Sequence, residues 1–541
     1  MKFNLATVFE TVADAVPERV VLTWEGTDYT YAALDRLANQ VAHHFAAHGV
    51  GKDDNVALYL KNSVEHVTSL IGLIKIRAVP VNVNYRYTDA ELEYIFDNSD
   101  SAAIVVELPE HQRSVAELMA KLPALRTVFV IGEIVDELRD AAAALDGRTV
   151  EIVAFDGYRE KPTDRDFDAR TGEEIYMIYT GGTTGYPKGV MWRHDDFFRK
   201  PISGGNPYGP ARADYAELAK EVQNFPSMSF LIAAPLMHGA ASYSLFTFIS
   251  LGSRLILERD FDAEKIIRNI GRDKTQMILI VGDAMGMPLA DEMERQKDTA
   301  DFSTLFSVTS GGALWSQSCR ERMLAVKPDL LLRDNFGASE SGNDGEIKMD
   351  DNGNLMVPPT DKMMVVDERF RQITTPNEVG HIARIGNIPL GYYKDPEKTA
   401  RTFPTLDDGT RISVLGDMGY LREDGSIIFL GRGSQCINTG GEKVYAEEVE
   451  GVLHAHPAVA DALVVPAPDA KYGQRVAAVI SLKPGAAEPS LEEIQEHARV
   501  TLARYKVPRT IVIVDEVKRT PAGKADYKWA KATAENAGAT V

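Results

Sequence analysis

Tyr179-Thr180-Gly181-Gly182-Thr183-Thr184-Gly185-Tyr186-Pro187-Lys188-Gly189-Val190 is the segment whose residue types most plainly suit chemistry. Glycines let a backbone fold tightly and turn several N–H groups toward one anion, and threonines add hydroxyl donors. Lys188 supplies a compact cation, so the expected ligand is phosphate. Thr180, Gly181, Gly182, Thr183, Thr184 and Gly185 are the candidates for the cradle. The P-loop pattern does not apply: the glycine spacing differs, and Gly189 rather than Ser or Thr follows the lysine. An ordinary Gly/Thr surface loop reads the same way, and phosphate alone names no reaction.

Three charged residues further along sit in short motifs. Glu340 closes Asn335-Phe336-Gly337-Ala338-Ser339-Glu340, Asp417 closes Leu415-Gly416-Asp417, and Lys524 closes Arg519-Thr520-Pro521-Ala522-Gly523-Lys524. Each alone is more often a solvated side chain. Pro235-Leu236-Met237-His238-Gly239-Ala240-Ala241 and Val281-Gly282-Asp283-Ala284-Met285-Gly286-Met287 are rich in small residues and methionine. Such linings suit a broad, adaptable apolar cavity. His238 reads equally as a core histidine, and Asp283 as a helix cap.

Positioning these residues requires alternating elements. Leu34, Leu37, Val41 and Phe45 share a helical face after Thr30 as cap. Strands are expected at 56–60, 79–81, 102–106, 175–178, 229–234, 254–258, 277–281 and 305–309, with helices at 63–75 and 89–98. That rhythm predicts parallel, doubly wound sheets. Residues 156–174 and 204–213 read as loops. Residues 420–429 read as a hairpin with an Asp-Gly turn. An α+β pattern follows, with strands near 461–465, 475–482 and 510–514.

The chain has 541 residues, 44% of them apolar and 26% charged, enough for at least two domains. Its two cysteines, Cys319 and Cys436, form no disulfide framework or metal spacing, which suggests a reducing cytoplasm. Met1-Lys2-Phe3-Asn4-Leu5 lacks the apolar run of a signal peptide, and no stretch has the length of a membrane span. A net charge of -20 repels nucleic acid. Residues 432–541 carry 14 Lys+Arg and 14 Asp+Glu, so the whole excess belongs to residues 1–431. The neutral segment approaches a polyanion more easily.

The motifs and their order resemble the adenylate-forming superfamily of acyl-CoA synthetases, firefly luciferase and peptide-synthetase adenylation domains. The resemblance spans nearly the whole chain and is greatest to actinobacterial ligases for fatty acids or steroid side-chain acids. Met191-Trp192-Arg193-His194 belongs to the same likeness. Departures are Gly181 where the superfamily usually has Ser, Ser339 for Thr, and Ser434 at a hinge position that is usually Asp or Lys. The resemblance implies ATP held by the loop with Lys188, by Gly312 and Ala313 of Gly311-Gly312-Ala313, and by Asn335, Phe336, Gly337, Ala338 and Ser339. It implies that Asp417 binds the ribose, with Arg432 nearby, that Lys524 is catalytic, and that Glu340 and Thr184 hold Mg²⁺. His238, Gly239, Asp283 and Gly311 would line the acyl pocket. Thr439, Gly440, Gly441 and Glu442 would meet CoA.

The expected fold class is therefore α/β, with a large N-terminal domain of doubly wound sheets (1–431) and a small mobile α+β C-terminal domain (432–541). The expected function is an ATP-dependent acyl-CoA ligase acting on a hydrophobic acid through an acyl-AMP. An adenylating enzyme with a different acceptor is the alternative. An amino acid substrate would call for an acid near His238, where Ala240-Ala241 offers none. The partners expected are the acid, ATP and CoA, without nucleic acid or an integral membrane segment; a homodimer is left open.

Overall fold

The computed structural model describes residues 1–180, 187–312, 315, 317–350, 355–432, 437–439, 442–469, 473–520 and 524–538. Two eight-stranded sheets form the frame. The first runs Gly342–Glu346, Leu331–Ala338, Ser307–Gly311, Met277–Ile280, Ser229–Ile232, Arg254–Leu257, Val20–Trp24 and Thr27–Thr30. Its interior pairs are parallel and both edge pairs antiparallel. The second runs Gly391–Tyr392, Lys188–Arg193, Ile175–Thr180, Val79–Asn82, Asn55–Tyr59, Ala103–Val106, Thr127–Val130 and Glu151–Ala154. It is parallel from Ile175–Thr180 onward.

Local signals set the helices that lie against these sheets. Thr30 caps Tyr31–Ala47 by accepting from the Ala33 N–H at 3.2 Å, and Leu34, Val41 and Phe45 are buried. Ser63 caps Val64–Lys75 by accepting from the His66 N–H at 3.0 Å. These two helices share one core with Leu5–Ala15 and Gly239–Ser250, and that core takes side chains from both sheets. The expected loop at 156–174 opens with a 3₁₀ turn over Phe155–Glu160.

A six-stranded antiparallel sheet goes beyond the doubly wound expectation. It runs Lys348–Met349, Leu355–Val357, Ile427–Arg432, Ser413–Leu421, Val379–Arg384 and Met363–Val366. Its central hairpin is the expected one, with Gly425 at φ 83° after Asp424. A five-stranded sheet of residues 437–514 packs with Ala446–His454, Leu491–Arg499 and Tyr527–Gly538. Its strands Val459–Asp469, Gly473–Leu482 and Thr510–Val514 contain the expected ones. No helix among the described residues is long and apolar enough to cross a membrane.

Burial leaves an acid-sensitive signature. His44, His66, His194 and His238 are each pushed down to about 4, first of all by burial. Unfolded, these imidazoles would titrate near 6.5. Between roughly 6.5 and 4 the unfolded chain therefore binds more protons than the fold. Stability is expected to be full above that window and to fall as the pH drops through it. Denaturant titrations on either side measure this, and equal midpoints would contradict it.

Candidate active site

The Gly/Thr-rich segment joins two antiparallel strands of the second sheet, with Thr180 opposite Lys188. Gly181, Gly182, Thr183, Thr184 and Gly185 lie outside the described residues. The first of these strands is held by Asn82, whose Oδ1 accepts from the Tyr179 N–H at 2.7 Å. Its Nδ2 donates to the Tyr179 carbonyl at 2.9 Å and to the Met237 carbonyl at 2.6 Å. One side chain thus ties the phosphate segment to the one carrying His238. Asn62 holds the latter from below, accepting from the Leu236 N–H at 2.7 Å. Lys188 donates to Asp395, which also caps Pro396–Thr402.

Glu340 follows the end of Leu331–Ala338 in the first sheet. The Tyr392 hydroxyl donates to its Oε1 at 2.9 Å, and the Ser413 hydroxyl to its carbonyl at 3.1 Å. Burial first, and then the Glu340 charge, push the Tyr392 phenol up, so it remains a donor. Lys188 Nζ stands 5.8 Å from the centre of the same ring, which places the carboxylate, the phenol and the loop lysine together. The Trp192 indole and the Tyr243 hydroxyl donate to the Ser339 carbonyl at 2.9 and 3.2 Å. Gly337 is required by close approach, since a Cβ there would stand 2.1 Å from the Gly342 carbonyl oxygen.

Among the described residues no group of three or more His, Cys, Asp or Glu is gathered to hold an ion. Magnesium asks for little more than one carboxylate, because phosphate and water complete its shell. Glu340, fixed by Tyr392 near Lys188, fits that demand.

Asn335 and Phe336 lie on the strand beside Ser307–Gly311, with Asn335 opposite Gly311. Gly312 follows with φ 89°, a left-handed backbone that favours glycine, and Ala313 lies outside the described residues. Asp417 is buried, and in the ladder it stands opposite Arg432, whose side chain is not among those described. Its Oδ2 accepts from Arg384 Nη2 at 2.5 Å, a partner the motifs did not reveal.

On the acyl side, His238 precedes and Gly239 begins the helix Gly239–Ser250. Gly311 faces this helix: a Cβ there would stand 3.3 Å from both Ala240 Cβ and Leu279 Cδ1. Burial first, then the positive charges of Lys524 and Arg86, hold the His238 imidazole neutral. Lys524 is exposed, and its carbonyl accepts from the Thr520 N–H at 2.7 Å. Asp283 lies in the first turn of Gly282–Arg295 without capping it. Its charge is felt by Cys319, Asp334 and Arg519, so it stands among charged groups. Thr439 is buried opposite Glu442 in a short hairpin, while Gly440 and Gly441 lie outside the described residues.

The motifs do not point to Asn62, Asn82, Arg384 or Tyr392, which hold the candidate residues and segments in place. A polar side chain inside an apolar run was the available signal for Asn82 in Val79-Pro80-Val81-Asn82-Val83 and for Arg384 in Ile382-Ala383-Arg384-Ile385.

A Gly/Thr-rich segment joining two paired strands, Glu340 just beyond a strand end, a buried Asp417 and a lysine carried on a small α+β unit fit an adenylate-forming fold. Residues 9–393 match the AMP-binding enzyme family, and residues 448–524 match the AMP-binding enzyme C-terminal domain. The chain belongs to the AMP-binding enzyme family. It is 41% identical over 548 residues to a 3-oxocholest-4-en-26-oate–CoA ligase from Rhodococcus rhodochrous, with 98% of this chain and 96% of the relative covered. A medium/long-chain-fatty-acid–CoA/3-oxocholest-4-en-26-oate–CoA ligase from Mycobacterium marinum is 41% identical over 543 residues, with 98% and 96% covered. The solved structure of ATP-bound MatB from Rhodopseudomonas palustris is similar with a TM-score of 0.76 at 25% identity, covering 98% of each chain.

Proposed function

We propose that this enzyme is an AMP-forming acyl-CoA ligase for fatty acids or steroid side-chain acids. The observation that carries the reading is the grouping of Glu340, the Tyr392 hydroxyl 2.9 Å from its Oε1 and Lys188 beside the same ring, in a chain 41% identical to a 3-oxocholest-4-en-26-oate–CoA ligase. A carboxylate bound beside Gly311 and Ala240 would meet the Lys524 cation where it must react. A carboxylate oxygen attacks the α-phosphorus of ATP, the bond to the β-phosphate oxygen breaks, and pyrophosphate leaves. No enzyme nucleophile is needed. Lys524 offsets charge on the oxygens between carbonyl and phosphorus as the new bond forms. Mg²⁺, when held by Glu340 with Thr184, supplies charge neutralisation on the phosphate oxygens.

Asp417 orients the ribose, and Asn335, Phe336 and Gly312 bound the base. A neutral His238 lets an apolar chain pass without a competing cation. In the second half-reaction the CoA thiol loses its proton, sulfur attacks the acyl carbon and AMP leaves. Exclusion of water protects the mixed anhydride in the interval. We assign residues 432–541 to a domain that moves between the two steps, with residues 439–442 meeting the thiol.

The test is pyrophosphate release and thioester formation with medium-chain, long-chain and sterol-derived acids, with and without CoA. Acyl-adenylate accumulating in the presence of CoA, with no thioester from any acid, would overturn the reading. The proposed acyl pocket has its own test in Gly311→Val. The added methyls meet Ala240 and Leu279, so kcat/KM for long or ring-bearing acids is expected to fall by about tenfold or more, the scale of one bulky group in a packed pocket. The ATP KM should stay unchanged, and unaltered acid selectivity would remove Gly311 from the pocket.

A further inference from the structure

We propose that Arg384 is the positioning residue of the nucleotide site, one buried guanidinium that sets the ribose-binding carboxylate, backs the aromatic ring beside the base and anchors the turn presenting Glu340. The inference rests on the assignment of Asp417 to the ribose.

Arg384 is 1% exposed and lies on the strand Val379–Arg384. Its Nη2 donates to Asp417 Oδ2 at 2.5 Å, its Nε to Asp344 Oδ2 at 3.1 Å, and its Nη1 to the Ile382 carbonyl at 3.2 Å. The guanidinium carbon stands 5.2 Å from the centre of the Phe336 ring. Asp344 accepts from the Ser341 hydroxyl at 2.6 Å, and that hydroxyl accepts from the Ala338 N–H at 3.1 Å, which fixes the turn containing Ser339 and Glu340. Lys200 Nζ completes the chain 3.3 Å from Asp344 Oδ1. Two cations and two anions therefore balance inside the protein.

The ladder explains why a side chain is needed here. His381 pairs with Met418 and Ala383 with Val414, so Leu415-Gly416-Asp417 bulges away from the strand that carries Arg384. Gly416 takes φ 89° within that bulge. Backbone pairing on this side does not reach Asp417, and Arg384 spans the gap. Only a planar fork serves Asp417 and Asp344 together while stacking on a ring; a lysine is a single point charge. Buried ion pairs add little net stability compared with apolar packing, so retaining this one is better explained by orientation. Holding one carboxylate oxygen fixes the Asp417 rotamer and with it the direction of the whole group.

The test compares ATP with 2′-deoxyATP and 3′-deoxyATP as substrates of the full-length enzyme, in wild type, Asp417→Asn, Arg384→Met and Arg384→Lys, with thermal melts alongside. Wild type should prefer ATP by about tenfold or more, the worth of a hydrogen bond to a charged group. Asp417→Asn should erase most of that preference. Arg384→Met should erase it to a similar degree and raise the ATP KM, leaving the KM for the acid and for CoA unchanged. Arg384→Lys keeps the charge, loses the fork and should fall between; it decides the matter if Arg384→Met does not fold. If Asp417→Asn kept the full ribose preference, the ribose assignment itself would fail. If Asp417→Asn lost the preference while folded Arg384→Met, or Arg384→Lys in its place, kept it, the positioning role would be overturned and the ribose assignment would stand.

Discussion

Lys524→Ala is expected to slow acyl-adenylate formation by about a hundredfold or more, the scale seen when one preorganised electrostatic group is removed from a reacting centre. Its side chain is exposed and its carbonyl accepts from the Thr520 N–H, so the fold should survive. A cation placed over the forming bond between carboxylate and α-phosphate helps only while that charge develops. Given presynthesised acyl-adenylate and CoA, the same variant should form thioester at close to the wild-type rate. Gly440→Leu should do the reverse, blocking the thiol while pyrophosphate release continues. Stopped assays of each half-reaction separate the two. Equal loss of both steps in both variants would end the idea that one lysine serves one conformation.

Asp417→Ala carries the second large effect, and it has two components. Loss of the ribose contacts should raise the ATP KM by the equivalent of about 2–4 kcal/mol. The acid KM should change less. The truncation also leaves Arg384 buried with Asp344 and Lys200, one negative charge short. Removing one partner of a buried pair costs about 3–5 kcal/mol. The melting temperature should therefore fall even without nucleotide. An unchanged ATP KM in the folded variant would remove Asp417 from the nucleotide site, and an unchanged melt would mean that water reaches the guanidinium.

Legibility in the sequence followed the range of the interactions. Tyr31–Ala47 and Val64–Lys75 were readable because cap, periodicity and apolar face all lie within one turn or a few. The buried parallel strands were readable as short apolar runs. The six-stranded antiparallel sheet was not, apart from its hairpin. Leu355–Val357 and Lys348–Met349 are too short to show a period, and Leu355–Val357 pairs with a strand some seventy residues onward. The site divides in the same way. Glu340, Asp417 and Lys524 stand in motifs that a family resemblance exposes. Their supports do not: Tyr392 reaches Glu340, Asp395 reaches Lys188, and Arg384 reaches Asp417 only after the chain has folded back on itself. A polar residue in an apolar run can flag Arg384 as unusual, but no local pattern says which residue it will meet, because distance along the chain says nothing about distance in space.

Asp417 stands opposite Arg432, the last residue of its strand, where the proposed moving domain begins. If residues 432–541 turn about this point as proposed, the proposed ribose grip sits on the axle and Lys524 on the rim. A point on an axle barely travels however far the rim swings. The nucleotide can thus remain clamped at one end throughout the cycle while the other end of the active site is exchanged. AMP would then be the last product to leave, released by loosening of the grip and not by return of the lever.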